Sequence, residues 1–134
     1  MHSHSYTGNA LACRAGLATL EIFQQQAVIE KNKQLAVIMA KVAERFNEHP
    51  HVSEVRQTGM ILAIEMVKNK TTREPYPWQE RRGLKVYQYA LSKGVLLRPL
   101  GNVIYFMPPY IITGEELLVI AEVAWDGIQR AVKE

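Results

Sequence analysis

A few residues in the chain could do chemistry. Arg98 ends the apolar run Val95-Leu96-Leu97 and is followed by Pro99. A guanidinium at the end of a strand projects from a rigid edge, and its planar fork binds a carboxylate through two parallel hydrogen bonds. The competing reading is a structural salt bridge to a nearby glutamate, and position alone does not separate the two. Tyr105 and Tyr110 flank Met107-Pro108-Pro109, where aromatics line a pocket or, more simply, pack into the core.

Other reactive side chains read more plainly. Cys13 lies in an alanine-rich helical stretch, as a small apolar residue to be buried rather than a nucleophile. The pairs His2/His4 and His49/His51 fall in loops, without the helical spacing of a ligand set, so no metal site is expected. Lys93, in Ser92-Lys93-Gly94, falls at a helix end, where a solvated cation is favourable; a Schiff-base role is not expected. Trp78 follows Tyr76-Pro77 and reads as an anchor for its loop. No residue is a credible acid–base catalyst.

The elements that hold these residues must fit in 134 residues, enough for one domain. With 48% hydrophobic and 22% charged residues the chain is not disordered. No apolar run reaches the roughly 18–20 residues that span a bilayer. The opening Met1-His2-Ser3-His4-Ser5 lacks the plan of a secretory signal. One cysteine cannot staple a secreted domain, so a cytoplasmic setting is expected. The net charge of +3 is spread among acidic residues, and no basic stripe points to nucleic acid.

Asn9 can cap a helix from Ala10 to about Gln25, apolar on several faces and therefore suited to an interface. A second helix runs from about Val28 to Asn47 and stops before Pro50. Val52 to Val67 reads as two short strands or one bent strand with a bulge at Gly59. Lys68 to Pro77 reads as a loop and Trp78 to Lys93 as a helix with Leu84, Tyr87 and Leu91 on one side, capped by Gly94. Val95 to Arg98 and Val103 to Met107 read as strands around a turn from Pro99 to Asn102. Thr113 and Glu116 form a capping box for a last helix with Leu117, Ile120, Ala124, Ile128 and Ala131 on its apolar face. This order predicts an α+β domain, with helices packed on a small, mostly antiparallel sheet.

The segment His4-Ser5-Tyr6-Thr7-Gly8-Asn9-Ala10-Leu11-Ala12-Cys13, continued by Leu17 to Phe23, resembles the H-[GT]-x-[ST]-x-x-G-N-P-L-A-C block of class III aminotransferases. Gly94 to Tyr110, with its R-P-x-x-N-x-x-Y-x-M-P-P-Y pattern, is similar to the C-terminal part of the biotin-pathway branch of that family. The resemblance covers essentially the whole chain. It implies the small C-terminal domain of a fold type I enzyme that uses pyridoxal 5'-phosphate. It also implies transfer of an amino group from S-adenosylmethionine to 8-amino-7-oxononanoate, giving 7,8-diaminononanoate, with no nucleic-acid or membrane partner.

Roles follow from the resemblance residue by residue. Ser5, with His4 beside it, matches the turn that binds the cofactor phosphate across a homodimer. Arg98 matches the arginine that holds the carboxylate of 8-amino-7-oxononanoate, and Tyr105 lines the same pocket. Ser3 stands where the family usually has glycine, and the resemblance groups it with Arg98 and Tyr105 as substrate-binding. Ala10 replaces the usual proline, which a good helix former tolerates. The family's large domain, with its Schiff-base lysine, lies upstream of these motifs and is not in these residues. The resemblance thus implies residues 1–26 as an interface segment, 27–134 as the small domain, and no catalysis by the chain alone. A catalytically inactive dimerisation or interaction domain is the alternative.

Overall fold

The computed structural model describes residues 4–133. Asn9 caps helix α1 (Ala10–Gln25): its side chain accepts the backbone N–H of Ala12 at 2.9 Å. Ala27, left-handed at φ 47°, turns the chain into α2 (Val28–Ala43). One 3₁₀ segment (Glu44–Glu48) then tightens the chain ahead of Pro50. Strands β1 (Val52–Thr58) and β2 (Ile61–Asn69) form a hairpin whose two-residue turn opens on Gly59, with φ 53°.

A two-residue strand β3 (Glu74–Pro75) pairs with the end of β2. Helix α3 (Arg82–Ser92) ends in a Schellman motif, with Gly94 N–H bonded to Leu91 carbonyl and Val95 N–H to Ala90 carbonyl. Gly94 is left-handed there, at φ 76°. Strands β4 (Arg98–Leu100) and β5 (Val103–Phe106) follow, then α4 (Gly114–Ala131) behind its complete Thr113–Glu116 capping box. The sheet is antiparallel in the order β1-β2-β5-β4, with β3 to one side on β2.

Strand side chains alternate between faces. Leu62, Ile64 and Met66 of β2 and Ile104 and Phe106 of β5 are buried with Met39 of α2, Val86 of α3 and Leu117, Ala124 and Ile128 of α4. Phe46 locks this layer, with its ring 6.5 Å from Phe106 and 5.6 Å from Trp125. The helices therefore cover one face of the sheet, and the fold is α+β as expected. The other face is left open.

Several boundaries differ from expectation. The second helix is α only to Ala43, because the turn before Pro50 closes as 3₁₀. The Lys68–Pro77 stretch is not all loop, since β3 pairs within it. The segment from Trp78 starts as a 3₁₀ turn (Trp78–Glu80), and left-handed Arg81 separates it from α3. Extended pairing begins at Arg98, not Val95, and includes Pro99 and Leu100, so the turn is only Gly101-Asn102. The buried face of α3 is Gly83, Val86 and Ala90; Leu91 is exposed. Small residues give that face little hydrophobic signal.

Candidate functional site

The open sheet face places the candidates. Ile104 and Phe106 point into the core, so Tyr105 between them points the other way. In the ladder, Arg98 stands opposite Tyr105, Tyr105 opposite Ala63, and Ala63 opposite Arg56. These four residues form one row across four strands, about 14 Å from end to end at about 4.8 Å per strand. The Ala63 methyl leaves a gap in the middle of that row.

The two arginines at its ends differ. Arg56 Nη1 donates to Glu54 Oε2 at 2.8 Å and to Glu65 Oε2 at 2.7 Å. The hydrogen bonds of Glu65 and then Glu54 raise its pKa above the ordinary arginine value. The Arg98 side chain is exposed and makes no hydrogen bond or ion pair with any described residue. The salt-bridge reading of Arg98 is therefore not what the structure holds. An unpaired guanidinium beside a half-buried tyrosine can grip a planar anion, with the phenol as a further hydrogen-bond partner.

The second candidate set sits at the start of α1. His4 and Ser5 are exposed in a turn closed by Thr7 N–H to His4 carbonyl at 3.0 Å and His4 N–H to Thr7 Oγ1 at 3.1 Å. The Ser5 hydroxyl has no hydrogen-bond partner among the described residues. A free hydroxyl at the positive end of a 16-residue helix suits a phosphate. Ser3 lies outside the described residues. Helix α1 meets the body near its far end, where Phe23 packs edge-on against Tyr110 at 6.4 Å. That contact is about 20 Å along the helix from its start. Among the described residues no hydrogen bond or ion pair links Ser5 to Arg98.

Other expectations need correction. Cys13 is exposed, not buried, because no residue of α1 is buried. Tyr105 and Tyr110 are outside the core. Trp78 is 73% exposed, and the buried aromatic that ties this stretch down is Tyr76. It is buried, its hydroxyl 2.9 Å from His51 Nδ1 and its carbonyl accepting from Asn102 Nδ2 at 2.8 Å. His49 is buried against the edge of Trp125 at 5.0 Å, so the second histidine pair is part of the packing.

Sequence reading missed the Arg56–Glu54–Glu65 cluster. Its usable signal was Glu54-x-Arg56, two residues apart and so on one strand face.

The family model described as aminotransferase class-III matches residues 1–130. The chain belongs to the class III aminotransferase family. Among its relatives are the adenosylmethionine-8-amino-7-oxononanoate aminotransferases of Anoxybacillus flavithermus and Methanocaldococcus jannaschii. The first is 48% identical over 116 residues, covering 87% of this chain and 26% of the relative. The second is 42% identical over 130 residues, covering 97% and 28%. A crystal structure of the Methanocaldococcus jannaschii aminotransferase superposes with a TM-score of 0.91 at 41% identity, over 96% of this chain and 30% of that one. A putrescine–pyruvate aminotransferase of Pseudomonas aeruginosa is less similar, 30% identical over 98% of this chain and 29% of its own length. This class III aminotransferase chain thus spans under a third of the length of these relatives.

Proposed function

We propose that this chain is the C-terminal small domain of an aminotransferase that moves an amino group from S-adenosylmethionine to 8-amino-7-oxononanoate, forming 7,8-diaminononanoate for biotin synthesis. The observation that carries the reading is Arg98, an exposed guanidinium with no internal partner on the open sheet face, beside Tyr105. A substrate with a terminal carboxylate supplies the missing anion. The names carried by relatives at 39–48% identity support the same assignment.

Pyridoxal 5'-phosphate, when bound, supplies the electron sink. The Ser5 hydroxyl, with His4 beside it, holds the cofactor phosphate, and Ser3 belongs with Arg98 and Tyr105 to the substrate-binding set. The likeness of the Ser5 turn to the family's phosphate-binding turn supports a site completed across a homodimer. Residues 1–26 form the interface segment and 27–134 the small domain, a division supported by left-handed Ala27 between α1 and α2. The enzyme works in the cytoplasm; no helix of the described residues is long and apolar enough to cross a membrane.

In the full-length enzyme, Arg98→Ala should raise KM for 8-amino-7-oxononanoate about 10- to 150-fold, the worth of a hydrogen-bonded charge at about 1.5–3 kcal/mol. KM for S-adenosylmethionine should change far less. Equal losses for both substrates would make Arg98 structural. The 134-residue chain alone, given cofactor and both substrates, should form no diaminononanoate; measurable turnover would overturn the assignment of chemistry to a large domain.

A second reading is a non-catalytic dimerisation or interaction domain derived from a transaminase. It is favoured by α1, which buries none of its residues and exposes Leu11, Leu17 and Leu20. Light scattering after size exclusion, with and without pyridoxal phosphate, separates the readings: a dimer indifferent to the cofactor favours the second.

A further inference from the structure

Because no hydrogen bond or ion pair with a described residue holds Arg98, the backbone of β4 must set its aim. Strand β4 is three residues long, lies at the sheet edge, and pairs on one side only. Such a strand has few ladder hydrogen bonds to fix it. Its position depends on what presses on the Gly101-Asn102 turn that joins it to β5.

Two contacts do so. At Gly83, in the first turn of α3, a Cβ would lie 2.3 Å from the Gly101 carbonyl oxygen and 2.9 Å from Pro99 Cβ. The backbone of α3 therefore touches the turn directly, and only glycine permits it. The second is at Asn102, whose Nδ2 donates to the Tyr76 carbonyl at 2.8 Å, while the Arg82 guanidinium covers the Tyr76 ring at 4.7 Å. Helix α3 is itself seated closely on α4, where a Cβ at Gly127 would lie 3.0 Å from Val86 Cγ1.

We propose that Gly83 is a positioning residue for substrate binding: its missing side chain lets α3 seat the β4–β5 turn where Arg98 meets the substrate carboxylate. The inference rests on the carboxylate-binding role of Arg98. Ordinary helix propensity points the opposite way, since glycine inside a helix is disfavoured relative to alanine. Gly83 has no left-handed φ to require it. What requires it is the approach to Gly101 and Pro99. A methyl group there must push the turn outward, and Pro99 moves with the residue before it, Arg98.

The test compares Gly83→Ala, Arg98→Ala and the double variant in the full-length aminotransferase. Gly83→Ala should raise KM for 8-amino-7-oxononanoate about tenfold or more, a small displacement of a binding group being enough. The kcat and the half-reaction with S-adenosylmethionine, followed by cofactor absorbance, should stay within about twofold. The double variant should be no worse than Arg98→Ala alone, because the glycine acts through the arginine. Full additivity, equal effects on both substrates, or an unchanged KM in Gly83→Ala would overturn the proposal while leaving Arg98's role intact. If Arg98→Ala itself spares 8-amino-7-oxononanoate binding, it is the function reading that fails. Should Gly83→Ala not fold, Asn102→Ala, which frees the same turn from Tyr76, is judged by the same criteria.

Discussion

Arg56 and Arg98 share a row on one sheet face, yet two carboxylates hold the first and, among the described residues, none holds the second. Arg98 was legible in the sequence because a charge between an apolar run and a proline is conspicuous. The Arg56 cluster was not, because Glu65 joins it only through the pairing of β1 with β2. His49 shows another effect invisible in sequence. Its Nδ1 accepts the His51 N–H at 3.1 Å, its Nε2 is buried without a partner, and Lys70 Nζ donates to its carbonyl at 3.2 Å. Burial, then the charges of His51 and Lys70, holds its pKa below the ordinary histidine value of 6.5. Across its ring lie Trp125 and, beyond it, the Arg45 guanidinium 4.9 Å from that indole. The fold thus favours neutral His49. Its contribution is complete above about pH 6.5 and declines as pH falls toward the lowered native value, because the unfolded chain then binds a proton the fold refuses. The melting temperature should therefore drop between about pH 7 and pH 5. His49→Gln should flatten that profile; an unchanged slope would place its source in another group.

At the scale of elements, local signals were read well and tertiary ones were not. The capping box of α4, the cap at Asn9 and Gly94 after α3 are short-range chemistry, and each lies where expected. Thr113→Ala removes the acceptor of the Glu116 N–H, at 3.2 Å, and should cost about 1 kcal/mol. A shifted denaturant midpoint at constant slope would check it. The start of β4 and the buried face of α3 escaped the pattern. Val95 and Leu97 are buried outside any strand, so an apolar run looked like one. Gly83 and Ala90 carry close packing without hydrophobic bulk.

At the scale of the whole molecule, the body closes on one core while α1 stands largely apart from it. Leu17 and Leu20 are 54% and 60% exposed. The spread of apolar residues around α1 announced this in sequence, since a helix apolar on several sides needs several neighbours. Leu17→Ser combined with Leu20→Ser should change the chain's own unfolding free energy by no more than about 0.5 kcal/mol per site. If the proposed homodimer forms through α1, the same pair should weaken it, read by light scattering of the full-length protein across a dilution series. A large loss of stability in the isolated chain would mean that α1 is held by its own domain.

The composition of strand β4 also bears on strand addition at its edge. A free sheet edge invites another chain to add a strand and begin aggregation. Here the edge is three residues long, has an unpaired charge at Arg98, and has Pro99, with no N–H to offer, at its centre. The arginine–proline pair therefore also makes this edge of the sheet a poor template for an added strand.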